Sequence, residues 1–240
     1  MIHALHGNAG IPDDLAHILR ESDHPFTAWH LWRFLHDHPG AGTLHGFAAA
    51  FQEEVDHTND SPRVLLGYSL GARLALHVLT AYPQRWDAAI LLSPHPGLPG
   101  AAERAERLTI DQSWAVRFLR ERWDEVMTVW NAQPVFSGES VPSHDQLLVE
   151  TWRREVAFGF DAWSLGRQDN LRPLLPTVSC PVLWLTGERD EKFTGLAAEA
   201  CPLLPRGRHK VIARAGHRVH LDQPAATAAQ IRAFLSAELG

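Results

Sequence analysis

A serine set between a strand-forming and a helix-forming run, from Val64 to His77, constrains this chain more than any other stretch. Val64-Leu65-Leu66 is apolar and of strand length. Leu70 to His77 forms helix readily, and Gly67-Tyr68-Ser69-Leu70-Gly71 between them fits Gly-x-Ser-x-Gly. That is the sequence form of a nucleophile elbow, in which glycines flanking a sharp turn let backbone segments come close and leave the serine strained and exposed. The helix that begins directly after it turns unpaired N–H groups and the positive end of its dipole toward the hydroxyl, favouring negative charge there.

The rest of the chain supplies the sheet that an elbow needs. Met1 to His6 is a short apolar strand running into the loop His6-Gly7-Asn8-Ala9-Gly10, and Ile11-Pro12-Asp13-Asp14 opens a helix through Leu15, Ile18 and Leu19. Trp29 to Leu35 reads as a second strand, ended by the turn His38-Pro39-Gly40-Ala41-Gly42. Leu44 to Val55 is helical, with Phe47, Phe51 and Val55 four residues apart. After the turn signal Asn59-Asp60-Ser61-Pro62 come the strand to Ser69, the helix to Ala81 and a strand from Ala88 to Leu92. The rhythm then stops from Leu98 to about Leu175. That segment reads as several helices broken near Gln133-Pro134 and Val141-Pro142, and it concentrates arginines (Arg104, Arg107, Arg117, Arg120, Arg122, Arg153, Arg154, Arg167, Arg172) and tryptophans. Strands at Pro181 to Thr186 and His209 to Ala213, a helix from Phe193 to Ala200 and a last helix from Pro224 to Leu239 follow. Continuous apolar strands alternating with helices predict an α/β fold: a mostly parallel sheet of about six strands with helices on both faces. Residues 1–97 and 176–240 form its core, and residues 98–175 an inserted helical cap over the active site.

A serine hydroxyl is inert at neutral pH unless an imidazole oriented by an acid takes its proton. In a sheet of this kind the chain order is Ser, acid, His, each partner following a late strand. Asp190, after the run ending at Thr186, and His217, after the run ending at Ala213, meet that condition at the edge where parallel sheets carry their chemistry. His220 with Asp222, or Asp169 as the acid, are the competing assignments. The oxyanion stabilisers expected are the backbone amides of Leu70 and Asn8. Arg73, one helical turn past Ser69, is placed to hold a substrate carboxylate.

Composition narrows the partners. A net charge of −6 argues against nucleic acid. No apolar run is long enough to span a bilayer, and no signal-like segment opens the chain, so a cytoplasmic monomer or small homo-oligomer is expected, away from membranes. Two cysteines, Cys180 and Cys201, lack metal-like spacing and read as unpaired buried thiols. The 15 histidines are scattered, the densest group being His36, His38 and His45, and form no spaced ligand set, so neither metal nor cofactor is expected.

With these residues assembled, the chain resembles the α/β-hydrolase superfamily, and within it the 2-succinyl-6-hydroxy-2,4-cyclohexadiene-1-carboxylate synthases of menaquinone biosynthesis. The resemblance rests on Gly67-Tyr68-Ser69-Leu70-Gly71-Ala72-Arg73, on His95-Pro96-Gly97-Leu98 with Glu103-Arg104-Ala105-Glu106-Arg107, and on Trp130 before Gln133-Pro134-Val135-Phe136. It continues in Gly187-Glu188-Arg189-Asp190-Glu191-Lys192-Phe193 and Ala215-Gly216-His217. It implies a lyase in which activated serine removes a proton, pyruvate leaves by 2,5-elimination and the oxyanion hole holds the developing charge. It also implies an anionic small-molecule substrate gripped by Arg73, Arg107, Trp130 and a further arginine, Arg153 or Arg154, with Tyr68 beside the nucleophile. The front of the chain departs from the family, with no strand hairpin before His6-Gly7 and His38-Pro39-Gly40-Ala41-Gly42 in place of a Pro-Gly-His-Gly loop. This keeps open an alternative, a carboxylesterase acting through a Ser69 acyl-enzyme.

Overall fold

A computed structural model describes residues 1–58, 60–136, 140–141 and 146–240, so that Asn59 and the Pro142 side of the expected break at Val141-Pro142 lie outside the described residues. The elements in chain order are β1 (Ile2–Leu5), α1 (Asp13–Leu19), β2 (Phe26–Trp29), α2 (Leu31–Asp37), α3 (Leu44–Asp56), β3 (Val64–Tyr68), α4 (Leu70–Ala81) and β4 (Ala88–Leu92). Then come the helices α5 (Ala101–Arg120), α6 (Trp123–Asn131), α7 (Gln146–Glu150) and α8 (Arg153–Ala162). The chain closes with β5 (Val182–Gly187), α9 (Glu191–Ala200), β6 (Gly207–Ile212), α10 (Val219–Asp222) and α11 (Pro224–Leu239).

The six strands form one sheet in the order β2-β1-β3-β4-β5-β6, and every pairing is parallel. Strand residues alternate between two apolar layers. Leu65, Ala89, Leu91, Val182 and Trp184 face the layer that holds α2, α3 and α4. Val64, Leu66, Ala88, Ile90, Leu92, Leu183 and Leu185 face the one that holds α1, α10 and α11. Because both faces are covered, the central strands carry no polar alternation, which is why they read as unbroken apolar runs.

One expected strand is corrected. Trp29–Leu35 is not a strand: β2 ends at Trp29, and Leu31–Asp37 is helical. Leu31, Trp32, Phe34 and Leu35 are buried while Arg33, His36 and Asp37 are exposed, a 3.6-residue rhythm that a run this short shares with a buried strand. His30 starts the helix, its ring nitrogen accepting from the Arg33 amide at 3.4 Å.

Among the described residues no strand lies between β4 and β5, and the helices there sit against the sheet's own helices rather than on a core of their own. Trp114, Phe118, Trp130, Phe160 and Trp163 belong to the same apolar cluster as Phe47 and Phe51 of α3. Trp163 donates from its indole to the Ala41 carbonyl at 2.9 Å and lies against Trp32. No helix is long and apolar enough to cross a membrane among the described residues. Cys180 and Cys201 are free and buried, and burial pushes their thiols up to about 12 and about 11.

Candidate active site

The turn after β3 is strained where the elbow pattern requires it. Ser69 sits at φ 49°, ψ −106°, a conformation a side-chain-bearing residue holds only when its surroundings enforce it. Its amide donates to the Leu92 carbonyl at 2.9 Å and its carbonyl accepts from the Arg73 amide at 3.0 Å, fixing it between β4 and the first turn of α4. The two pattern glycines are required by close approach. A Cβ on Gly67 would lie 2.4 Å from the Gly71 carbonyl oxygen, and one on Gly71 would lie 2.1 Å from that of Leu5.

Ser69, Asp190 and His217 converge at the carboxyl edge of the sheet. His217 Nε2 lies 3.0 Å from Ser69 Oγ, and its Nδ1 lies 2.8 Å from Asp190 Oδ2. The carboxylate can only accept, so Nδ1 carries the proton and Nε2 presents its lone pair to the serine hydroxyl. Asp190 holds its position by a second bond: as the residue before α9, it accepts from the Phe193 amide through Oδ1 at 3.3 Å. Ser93, itself at φ 48°, donates its hydroxyl to the His217 carbonyl at 3.1 Å. The imidazole is buried, with the rings of Phe193 and Phe136 at 4.3 and 5.8 Å.

Opposite the serine runs the loop after β1. His6 accepts the Leu31 amide through Nε2 at 3.0 Å, which leaves Nδ1–H to donate to the Gly7 carbonyl at 2.9 Å, so one neutral imidazole pins the loop to the start of α2. Gly7 and Asn8 line a cavity of about 250 Å³ together with Ser69 and His217. Leu70, the other expected oxyanion donor, is the first residue of α4, where an amide has no helical acceptor behind it.

The cavity is positive although the chain is acidic. Arg73, Arg107, Lys192 and Arg218 all line it, with Asp14 and Asp111 as its carboxylates. Arg73 is buried, its guanidinium donating to Gln168 Oε1 at 3.0 Å and to the Trp163 carbonyl at 2.9 Å. Burial, with the repulsion of Arg107 behind it, lowers its pKa to about 10. Arg107 reaches Asp111 Oδ1 at 2.8 Å and stays partly exposed. Lys192 is likewise pushed down by burial and by Arg107. His95 registers the resulting field: burial first, then Lys192, Arg73, Arg107 and Arg172, lower it to about 3. Guanidinium and ammonium groups that repel one another across a cavity are relieved by an anion between them.

Tyr68 and Trp130 line the cavity as expected, Tyr68 with its ring 5.6 Å from that of His217. Arg153 lies outside the lining, its guanidinium over Trp123 at 5.4 Å and 3.4 Å from Glu150 at the end of α7; Arg154, the alternative, is exposed and also outside the lining. Lys192 and Arg218 occupy the cavity instead. Lys192 follows Asp190 by two residues and Arg218 follows His217 directly, so proximity to the expected acid and base was the available signal. Arg218 stacks on Phe136 at 3.8 Å and donates to Asn131 Oδ1 at 2.5 Å, tying the loop after β6 to α6. The competing assignments do not assemble: Asp222 accepts the amides of Gly216 and Ser140, His220 is buried against Tyr68, and Asp169 pairs with His45 outside the cavity. His36 and His38 turn to Glu155 and Glu54.

The family model described as "Alpha/beta hydrolase family" matches residues 5–230. A protein of Pectobacterium atrosepticum named 2-succinyl-6-hydroxy-2,4-cyclohexadiene-1-carboxylate synthase is 33% identical over 245 residues, covering 97% of this chain and 92% of the relative. One of the same name from Serratia proteamaculans is 38% identical over 176 residues, 71% of this chain and 67% of the relative. Among solved structures, MenH from S. aureus is similar with a TM-score of 0.83 at 22% identity, over 100% of this chain and 94% of that one. A thermophilic esterase from Thermogutta terrifontis is similar with a TM-score of 0.72 at 19% identity, over 100% and 90%. These two likenesses concern the fold.

Proposed function

Since the chain belongs to the alpha/beta hydrolase family, and within it to the 2-succinyl-6-hydroxy-2,4-cyclohexadiene-1-carboxylate synthases, we propose that its Ser69 is the base that starts a 2,5-elimination of pyruvate. The observation that carries this reading is the pairing of an activated serine with a cavity lined by Arg73, Arg107, Lys192 and Arg218, a lining suited to a substrate with several carboxylates.

The product's name fixes the electron flow. Its double bonds begin at ring carbons 2 and 4, and the proton removed from carbon 2 is adjacent to the succinyl ketone. Ser69 Oγ, its own proton taken by His217 Nε2, removes that proton, and the electron pair spreads onto the ketone oxygen. The amides of Leu70 and Asn8 are the proposed donors to this enolate oxygen. As the pair returns, a double bond forms between carbons 2 and 3, the one ring double bond between carbons 3 and 4 moves to carbons 4 and 5, and the bond from carbon 5 to the enolpyruvyl oxygen breaks. The imidazolium proton passes to the departing enolpyruvate, which tautomerises to pyruvate, and Ser69 retains the proton from carbon 2. No acyl-enzyme forms. Asp190 keeps Nδ1 protonated and stabilises the imidazolium while it exists.

Incubation with the enolpyruvyl ether precursor is expected to release pyruvate above the uncatalysed background, read by coupled lactate dehydrogenase; no release ends this reading. Rapid Ser69-dependent hydrolysis of short nitrophenyl esters without pyruvate release selects the carboxylesterase. Arg107→Ala is expected to lower kcat/KM for pyruvate release on the order of 10–100-fold, the weight of one charge-assisted hydrogen bond. The melting temperature should change little, because Asp111 keeps Ser164 Oγ at 2.7 Å and the Leu165 amide at 3.2 Å through its other oxygen. A variant as active as the parent removes Arg107 from the substrate's binding.

A further inference from the structure

Outside the cavity, one cluster of ligand-type side chains stands apart. His45 lies in the first turn of α3, His77 in α4, and Asp169 in the segment leading from α8 back to the sheet. Each offers one ligand atom, and these atoms all lie within 4.8 Å of one another, the only such trio among the described residues. We propose that His45, His77 and Asp169 form a binding site for a divalent transition-metal cation, Zn²⁺ fitting best, with water as the fourth ligand.

The geometry is close to what the ion requires. His45 Nε2 and Asp169 Oδ2 are 3.3 Å apart, and roughly 3.3 Å is the edge of a tetrahedron with metal–ligand bonds of ~2.0–2.1 Å. The third ligand has to close by an ångström or so, which a rotation of the exposed His45 and Asp169 side chains supplies. An independent observation points the same way: His77 is 3% exposed, and its Nε2 has no hydrogen-bond partner. A buried ring nitrogen left unpaired is uncommon and invites explanation. The rings of His45 and His77 meet edge to face, 5.5 Å apart at 78°. Arg73, one turn before His77, opposes a cation, and the Asp169 carboxylate offsets it. Two imidazoles and one carboxylate suit zinc and its neighbours, whereas calcium and magnesium favour sites made of oxygen.

An ion here would tie α3 and α4 to the segment returning from α8. Asp169 is the next residue after Gln168, whose side chain accepts from Arg73 and donates to the His95 carbonyl at 2.8 Å. The metal would thereby brace the floor of the cavity without touching the reacting atoms.

The test uses the full chain stripped with EDTA and dialysed against micromolar ZnCl₂. One zinc per chain is expected, with a melting temperature raised by several degrees; MgCl₂ and CaCl₂ should do neither. His45→Ala and Asp169→Asn, at side chains 76% and 58% exposed, should each weaken zinc binding roughly tenfold or more while leaving the metal-free melting temperature within about two degrees. A parent chain that takes up no stoichiometric zinc, or variants that both keep its full affinity, overturns the proposal.

Discussion

Ser69→Ala is expected to cut pyruvate release at least ~10³-fold while the chain melts within about two degrees of the parent. The rate falls because the hydroxyl aligned with His217 Nε2, at 3.0 Å, is gone, and a water recruited in its place has neither the position nor the tilt of the Ser69 hydroxyl. Stability holds because the strain of the turn, φ 49° at a residue with a Cβ, is the same for alanine. His217→Ala should cost about as much, and the double variant little more, since the two act as one proton-transfer unit. Fluorophosphonate labelling should vanish in Ser69→Ala. A variant that keeps more than a tenth of the parent rate would remove the serine from the chemistry.

The second large effect is on acid stability. His3, His77, His95 and His220 are buried, and burial, the leading cause in each, lowers them to about 4, 3, 3 and 3. Unfolded, each titrates near its ordinary value of about 6.5. Above that value all four are neutral in both states and contribute nothing. Between about 6.5 and the lowered value the unfolded chain binds protons that the folded chain refuses, so stability falls as pH falls. The loss is ~1.4 kcal/mol per pH unit for each histidine, and for four on the order of 4–5 kcal/mol between pH 7 and 5.5. That is a large part of the 5–15 kcal/mol typical of a domain. Urea midpoints should therefore slide steeply over this range, and His95→Gln should flatten the slope by about a quarter. A midpoint constant from pH 7 to 5.5 contradicts the account.

Much of this was legible in the order of residues because parallel sheets and elbows are local in sequence. The strand at Ala88–Leu92, the last helix at Pro224–Leu239 and the positions of Asp190 and His217 after late strands follow from apolar run length, helix start signals and chain order. Trp29 to Leu35 reads as a strand because a run of seven residues whose one charged side chain is Arg33 is too short to separate a 3.6-residue period from a buried strand. The position of Arg153 is not legible for a different reason. Along a helix-rich segment with many arginines, spacing does not say which side of α8 looks inward, and Arg153 turns to Trp123 and Glu150. From the sequence His6 is only part of a loop, since its bond to the Leu31 amide spans 25 residues. Arg218 joins an element whose approach is set by folding and not by sequence distance, its contact with Asn131 lying 87 residues away.

Asp190 is both the acceptor at the head of α9 and the partner of the imidazole. Asparagine caps a helix as well as aspartate, but its amide cannot keep a proton on the ring nitrogen that needs one. A single base change could thus silence the chemistry while the scaffold and its cation-lined hollow stay whole. Descendants of such a chain would have a short route from enzyme to carrier or sensor of the same small acids.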